Sequence, residues 1–412
     1  MLSAPRFVMP VTLDDILAAR TRIRSAIACT PCPESIPLSE ICGARVFCKL
    51  DNLQRTGSFK ERGARNALLL LDASQRRRGV IAASAGNHAL GLAYHGSLLG
   101  VPVTVAMPRF APLIKVATCR RLGAEVMLAG ETFQEARACA DRLAAERGLA
   151  YVHGYDDPAI IAGQGTIALE LLEQVPDLEA VVCPIGGGGL IAGVAVALAA
   201  LRPDVRIVGV EATATASFRA AMEAGRPTRI QCGPTLADGL AVSIVGDNAF
   251  ALARDHVHRV VQVSEDALAL AILRIVELEK LVVEGAAASP LAAFLADQVP
   301  ELAGRKTVLL FCGGNIDPAV LSRVIEKGLV ADGRLGRFSV VISDRPGGLA
   351  ALARVIADAG ASIKEVTHDR AFAGADVAAV RAVVTLETRD RAHLEETRTA
   401  IAGAGFPVTD AR

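Results

Sequence analysis

The sequence has no tryptophan, only three tyrosines and twelve phenylalanines, and aromatics make up 4% of its 412 residues. It also lacks a surplus of either charge, since Lys and Arg total 44 and Asp and Glu total 44. Without a basic field there is nothing to draw in nucleic acid or an anionic membrane, so a small molecule is the expected ligand. Apolar runs such as Leu190 to Leu201 fall short of the roughly 20 residues that a membrane span needs. No charged, apolar and small-residue leader opens the chain, and nine scattered cysteines form no even framework, so a reducing cytoplasm is expected. Cys29 and Cys32 have C-x-x-C spacing but flank Pro31, with no second pair and no strand-to-helix context for redox or zinc chemistry.

What is present is apolar mass. A hydrophobic fraction of 52% over this length suffices for two or three cores. From about residue 45 to 330 short β-branched runs alternate with longer Ala/Leu-rich stretches, the grammar of a parallel sheet wrapped by helices. The predicted strands are Val80 to Ala83, Val103 to Ala106, Glu125 to Leu128, Ala180 to Cys183, Arg206 to Val210 and Thr307 to Phe311. They form two clusters separated by the polar, helical region 131–170, which predicts two α/β lobes with a cleft between them. The smaller lobe, roughly 50–160, is expected to be inserted in the larger within a region 1–330.

Past Gly328 to Gly336 the pattern changes. Phe338 to Ser343, Ser362 to Asp369, Ala378 to Thr388 and Phe406 to Thr409 read as strands, with helices over Pro346 to Gly360 and Asp390 to Gly403. That order, βαββαβ, predicts a separate ferredoxin-like domain over 336–412. No internal repeat and no low-complexity tract occurs beyond Ala-rich helices.

Four segments carry chemistry. In Thr56-Gly57-Ser58-Phe59-Lys60 a lysine opens a helical run, and a desolvated amine is a nucleophile toward an aldehyde. A solvated helix-start lysine reads the same way locally. Ser84-Ala85-Gly86-Asn87-His88 joins a strand to a helix and suits a carboxylate or phosphate, or simply caps the helix. Gly186-Gly187-Gly188-Gly189 before Leu190 leaves several backbone amides bare at a helix start, the strongest single signal for a phosphate. Cys312-Gly313-Gly314-Asn315 ends a further strand in a Gly-rich turn, and ligands of doubly wound sheets bind at such strand ends. One rival remains open at this point: Gly187, Gly189 and Ala192 fit G-x-G-x-x-A, with Glu211 ending the next strand as in NAD sites.

Together these four motifs resemble the serine/threonine dehydratase family, pyridoxal-phosphate enzymes of the tryptophan synthase β-like fold (fold type II), over residues 10–328. Residues 336–412 are similar to an ACT domain, an amino-acid-sensing module. The resemblance implies pyridoxal 5'-phosphate as cofactor, with Lys60 as the lysine that carries it, Phe59 beside the ring, Asn87 on its 3-hydroxyl and Cys312 next to its pyridine nitrogen. It assigns the phosphate to Gly186, Gly187, Gly188, Gly189 and the Leu190 amide, and the substrate carboxylate to Ser84, Ala85, Gly86 and His88. The expected reaction is β-elimination of a hydroxy amino acid, threonine first, with serine and threo-3-hydroxyaspartate as alternatives. Racemases of this fold carry a second Ser where this chain has Ala85, which turns the expectation from racemisation to elimination.

No metal site is assigned, although Glu211 and Asp238 could hold a cation with backbone oxygens. The turn Asp344-Arg345-Pro346-Gly347-Gly348 exposes helix amides that could take an effector carboxylate, isoleucine or valine being the candidates. A homo-oligomer, dimer or tetramer, is the family expectation. Two other classes stay in view, an NAD-dependent oxidoreductase and an amino-acid sensor without catalysis.

Overall fold

The computed structural model describes residues 10–369 and 379–411, which form two compact units, Met1–Asp317 and Pro318–Arg412. The first nine residues, where a leader would begin, lie outside the described ones.

The first unit holds two parallel sheets. β1 is Arg45–Lys49, β2 Val80–Ala83, β3 Val103–Met107, β4 Glu125–Leu128, β5 Ala150–Tyr151, β6 Ala180–Pro184, β7 Arg206–Ala212, β8 Arg259–Val263 and β9 Lys306–Leu310. One sheet runs β4-β3-β2-β5 and the other β1-β9-β6-β7-β8, every pairing parallel. β2, β3 and β6 are buried at every position, which is why they read as unbroken apolar runs. Three strands escape that signature. β1 and β8 are sheet edges whose outer positions can stay polar, and β5 has two residues.

The helices Lys60–Leu70, Pro158–Gln174 and Gly189–Leu201 cross at glycines. A methyl at Gly163 would lie 2.6 Å from Gly63 Cα, and one at Gly193 would lie 2.4 Å from the Ile161 carbonyl oxygen. Glycine is therefore required for these backbones to approach so closely, and the contact sets Lys60 and the tetraglycine turn at fixed places on one frame. The frame is braced by buried charge. Arg62 Nε and Nη1 bond Asp51 at 2.7 Å and Glu170 at 2.6 Å, and Lys49 Nζ reaches Glu170 at 2.5 Å.

In the second unit a helix Pro318–Ala331 precedes β10 Leu335–Ser343, β11 Ser362–Asp369, β12 Ala379–Glu387 and β13 Val408–Asp410, with helices Gly348–Asp358 and Arg391–Gly403. The predicted third strand began at position 378, which lies outside the described residues. The sheet order is β11-β12-β10-β13, antiparallel throughout, the arrangement of a ferredoxin-like fold. Its core packs Phe338, Val340 and Ile342 of β10 with Leu352, Ile356 and Ile401 of the helices.

Candidate active site

Lys60 is the first residue of its helix, with Phe59 at the cap position. The turn before it is stitched to the end of β9. Phe59 N donates to the Cys312 carbonyl at 2.9 Å, Gly314 N donates to the Gly57 carbonyl at 2.9 Å, and Ser58 bridges Gly313. Lys60 Nζ donates to the Gly154 carbonyl at 2.5 Å and lies 5.1 Å from the centre of the Phe59 ring. Burial lowers the Lys60 amine to about 8, partly offset by Cys312 and Glu284. A fraction of that amine is then free near neutral pH, as a nucleophile requires.

Asn87 opens the helix Asn87–Leu99, whose first amides have no intrahelical carbonyl to reach. Its Oδ1 accepts from Asn315 Nδ2 at 2.9 Å and its Nδ2 donates to Glu284 Oε1 at 2.7 Å. Ser84 Oγ accepts from Gly86 N at 3.2 Å, holding the loop that contains Ala85.

His88 is placed otherwise than a carboxylate-lining side chain would be. It is 3% exposed, its Nε2 lies 3.2 Å from the Val152 carbonyl oxygen, and burial lowers it to about 3. Through Nε2 the neutral ring supports the 152–154 turn that meets Lys60, leaving its Nδ1 and its backbone to a ligand.

The tetraglycine turn faces a wall that sequence reading missed. A methyl at Gly187 would fall 2.2 Å from Tyr155 Cγ, one at Gly189 2.3 Å from the Tyr155 carbonyl oxygen, and one at Gly186 2.8 Å from the Gly239 carbonyl oxygen. Gly188 adopts φ +91, a conformation that L side chains avoid. The side-chain-free cradle is therefore imposed by its neighbours. Leu190 follows it in the helix Gly189–Leu201. Thr56 Oγ1, Ser58 Oγ and His88 Nδ1 are buried without a protein partner, sites that a polar ligand would satisfy. An amine lowered by burial, a bare helix-start cradle and these orphan polar atoms fit a phosphorylated aldehyde.

Residues 23–313 match the family described as pyridoxal-phosphate dependent enzyme. The chain belongs to that family. This pyridoxal-phosphate enzyme is similar to the L-threonine ammonia-lyase of Thermotoga maritima, at 42% identity over 398 residues, 97% of this chain and 99% of that one. To the L-threonine ammonia-lyase of Geobacter sulfurreducens the identity is 45% over 401 residues, again 97% and 99% of the two chains. Among solved structures, the processed threonine deaminase isoform 2 of Solanum lycopersicum superposes with a TM-score of 0.73 at 34% identity, over 79% of this chain and 93% of that one. Maize serine racemase superposes with a TM-score of 0.74 at 33% identity, over 78% and 99%. The fold thus serves both elimination and racemisation.

The dinucleotide reading is overturned. Glu211, which should have met a ribose, is buried and accepts from Phe218 N at 2.7 Å and Arg219 N at 2.9 Å, capping the helix Ser217–Ala224. Those bonds also occupy both oxygens proposed for a cation. Asp238 is engaged too, by Lys115 Nζ at 2.9 Å, and no metal-binding cluster of His, Cys, Asp or Glu occurs among the described residues.

Cys312 is buried beside Lys60, and burial followed by the Glu284 charge pushes its thiol well up. It remains a protonated thiol and a weak hydrogen-bonding partner. Glu284 and Gly154 were also missed. The first is a lone acid in the apolar stretch Leu281-Val282-Val283-Glu284, a pattern that marks a buried carboxylate. The second precedes Asp157-Pro158, a helix-start signal, and offered no chemical signal of its own.

Proposed function

We propose that the chain is a threonine ammonia-lyase, converting L-threonine to 2-oxobutanoate and ammonia, with some action on L-serine. The observation that carries the reading is the meeting of Lys60, Asn87 and Cys312 at one place on the frame that also holds the tetraglycine turn, in a chain whose relatives bear that name over nearly their whole length.

Lys60 and the Gly186–Gly189 amides would hold pyridoxal phosphate, which would supply an electron sink that acidifies the Cα hydrogen of a bound amino acid. The residues do the rest. The helix-start amides at Asn87, with Ser84 and Gly86, hold the substrate carboxylate. Once a substrate amine has taken its place on the cofactor, the freed Lys60 Nζ would be the base that takes the Cα proton, which leaves with the β-hydroxyl as water. Cys312, a protonated thiol, would give a pyridine nitrogen beside it none of the countercharge of a carboxylate, which suits β-elimination over transamination. Water is lost, and the resulting enamine hydrolyses to the 2-oxo acid and ammonia. Ala85 offers no hydroxyl as a second acid, which favours elimination over racemisation.

The keto-acid assay across threonine, serine and threo-3-hydroxyaspartate tests this. Release of 2-oxobutanoate from threonine supports it, whereas turnover of hydroxyaspartate alone moves the substrate assignment and leaves the chemistry.

The second unit we assign to amino-acid sensing as an ACT domain. Gly347 has φ +97, and a methyl at Gly348 would lie 2.1 Å from the Ser343 carbonyl oxygen, so Asp344 and Pro346 sit in a tight turn at the start of the helix Gly348–Asp358. Isoleucine or valine is the expected ligand, and calorimetry showing no heat for either rejects it. A dimer or tetramer in the cytoplasm completes the proposal, read by light scattering and cell fractionation. No helix among the described residues is long and apolar enough to cross a membrane.

A further inference from the structure

Glu284 is a buried carboxylate beside Lys60 for which the reaction above has no use. It is 4% exposed and immediately precedes the helix Gly285–Leu295. Its backbone amide donates to the Gly313 carbonyl at 3.0 Å, and a methyl on Gly313 would lie 2.3 Å from its Oε1. The carboxylate is thus pressed into the turn that follows Cys312.

Its contact with Asn87 ends a line of hydrogen bonds whose direction is set from both ends. The Thr56 carbonyl can only accept, so Asn315 presents Nδ2 to it at 2.7 Å. The same Nδ2 reaches Asn87 Oδ1 at 2.9 Å, which turns Asn87 Nδ2 toward Glu284 Oε1, 2.7 Å away. A carboxylate there can only accept. Reversing the Asn87 amide would set oxygen against carboxylate and nitrogen against nitrogen, so the amide has one satisfactory orientation.

We infer that Glu284 is a positioning residue: by accepting from Asn87 Nδ2 it fixes the plane of the Asn87 amide at the cofactor. The inference rests on the pyridoxal-phosphate reading of the site.

The charged and titratable groups that act on Glu284 are Asp238, Lys115 and Lys60, and its own charge acts on Cys312. Burial, and then Asp238, raise its carboxyl to about 7, while Lys115, the Asn87 amide and Lys60 pull it back. Above that pH the ionised form holds Asn87 by a charge-assisted bond; as pH falls the bond weakens to that of a neutral acid. Removing the Asp238 charge lowers the carboxyl and shifts this loss to lower pH. Removing the Lys115 charge does the opposite.

The test uses the full-length holoenzyme, following kcat and KM for threonine and the cofactor absorption band between about pH 5.5 and 9, a window bracketing the raised Glu284 value of about 7. Glu284→Leu should lower kcat by roughly 10- to 100-fold, the worth of a hydrogen bond to a charged group, with little change in KM and a shifted cofactor band. Glu284→Gln still offers an accepting oxygen, so it should restore most of kcat and the band position but abolish the limb near pH 7. Asp238→Asn should move that limb down and Lys115→Met should move it up. A limb that survives in Glu284→Gln, or that neither neighbouring substitution moves, overturns the inference, and so does a Glu284→Leu enzyme with the native band and profile. Should Glu284→Leu not fold, the other three variants decide alone. A native protein that binds the cofactor yet leaves threonine untouched rejects the substrate reading only, because the pH dependence of the band still tests Glu284.

Discussion

Tyr155 lies across the tetraglycine turn so closely that a methyl on Gly187 would touch its ring carbons at 2.2 to 2.4 Å. The ring is held there by its hydroxyl, which donates to the Ile244 carbonyl at 3.2 Å, and by an edge-to-face contact with His153 at 4.5 Å between centroids. The glycines at 187 and 189 are therefore required by a tyrosine, whatever the turn binds.

Gly187→Ala is expected to weaken cofactor retention by about 1 to 3 kcal/mol, the usual cost of overpacking. Gly189→Ala should cost at least as much, since its obstacle is a backbone carbonyl that cannot swing away. Gly403→Ala, where nothing lies within 4 Å, is the control and should bind as the native protein does. Equilibrium dialysis of the cofactor reads all three.

Lys60→Ala should abolish the visible absorption of the holoenzyme. In the apoprotein the amine is lowered by burial to about 8 from 10.5, so cofactor uptake should accelerate as pH rises through 8 and then level off. The sign for stability is the same. The unfolded chain binds more protons than the folded one between those two values, so the apoprotein gains stability as pH rises across them, and Lys60→Ala should flatten that rise in a denaturant titration. Uptake that is independent of pH contradicts the assignment.

Arg62→Met strips the buried carboxylates of Asp51 and Glu170 of their main counter-charge, leaving Lys49 alone. A loss of about 3 to 5 kcal/mol is expected at neutral pH, because an uncompensated buried charge is costly. Burial pushes the Asp51 carboxyl up, yet Arg62 and Lys49 together hold it below the ordinary carboxylate range. In the native protein its contribution is therefore present at neutral pH and fades in acid. In the variant Asp51 takes a proton more readily, so the deficit should shrink as pH falls, as thermal unfolding across pH would show.

His95 joins two residues of the lysine helix. Its Nε2 faces Glu61 Oε2 at 3.1 Å and its Nδ1 faces Arg65 Nη1 at 3.4 Å. Arg65 can only donate, so Nδ1 accepts and the ring carries its proton toward Glu61. Glu61 in turn accepts from the Thr56 amide, in the turn ahead of Lys60. His95→Leu should destabilise the protein by about 1 to 3 kcal/mol by leaving a buried acceptor unmet. His95→Gln can still donate and should recover part of it in the same melt.

The strands buried on both faces, β2, β3 and β6, were legible to within a residue, because a parallel strand covered on both sides must be apolar throughout. β1 and β8 were not, because an edge strand tolerates charge and Lys49 is buried only by virtue of Glu170. In the site, Lys60, the asparagine loop, the tetraglycine turn and the Cys312 turn stand out as motifs because each is a local demand on a few consecutive residues. Glu284 is marked in the sequence only as a buried acid, since its partner is an asparagine on a helix of the other sheet.

The sequence alone determined which backbones would be bare, which lysine would open a helix and where the fold changes from parallel to antiparallel, since those depend on glycine, apolar period and near neighbours. Only the tertiary structure decided the charge states and orientations: that the Lys60 amine is drawn toward neutrality, that His88 turns inward, that Glu211 caps a helix and that Asn87 is gripped from both sides. Those depend on desolvation and on partners distant in the chain, and neither exists until the two sheets and their helices are packed.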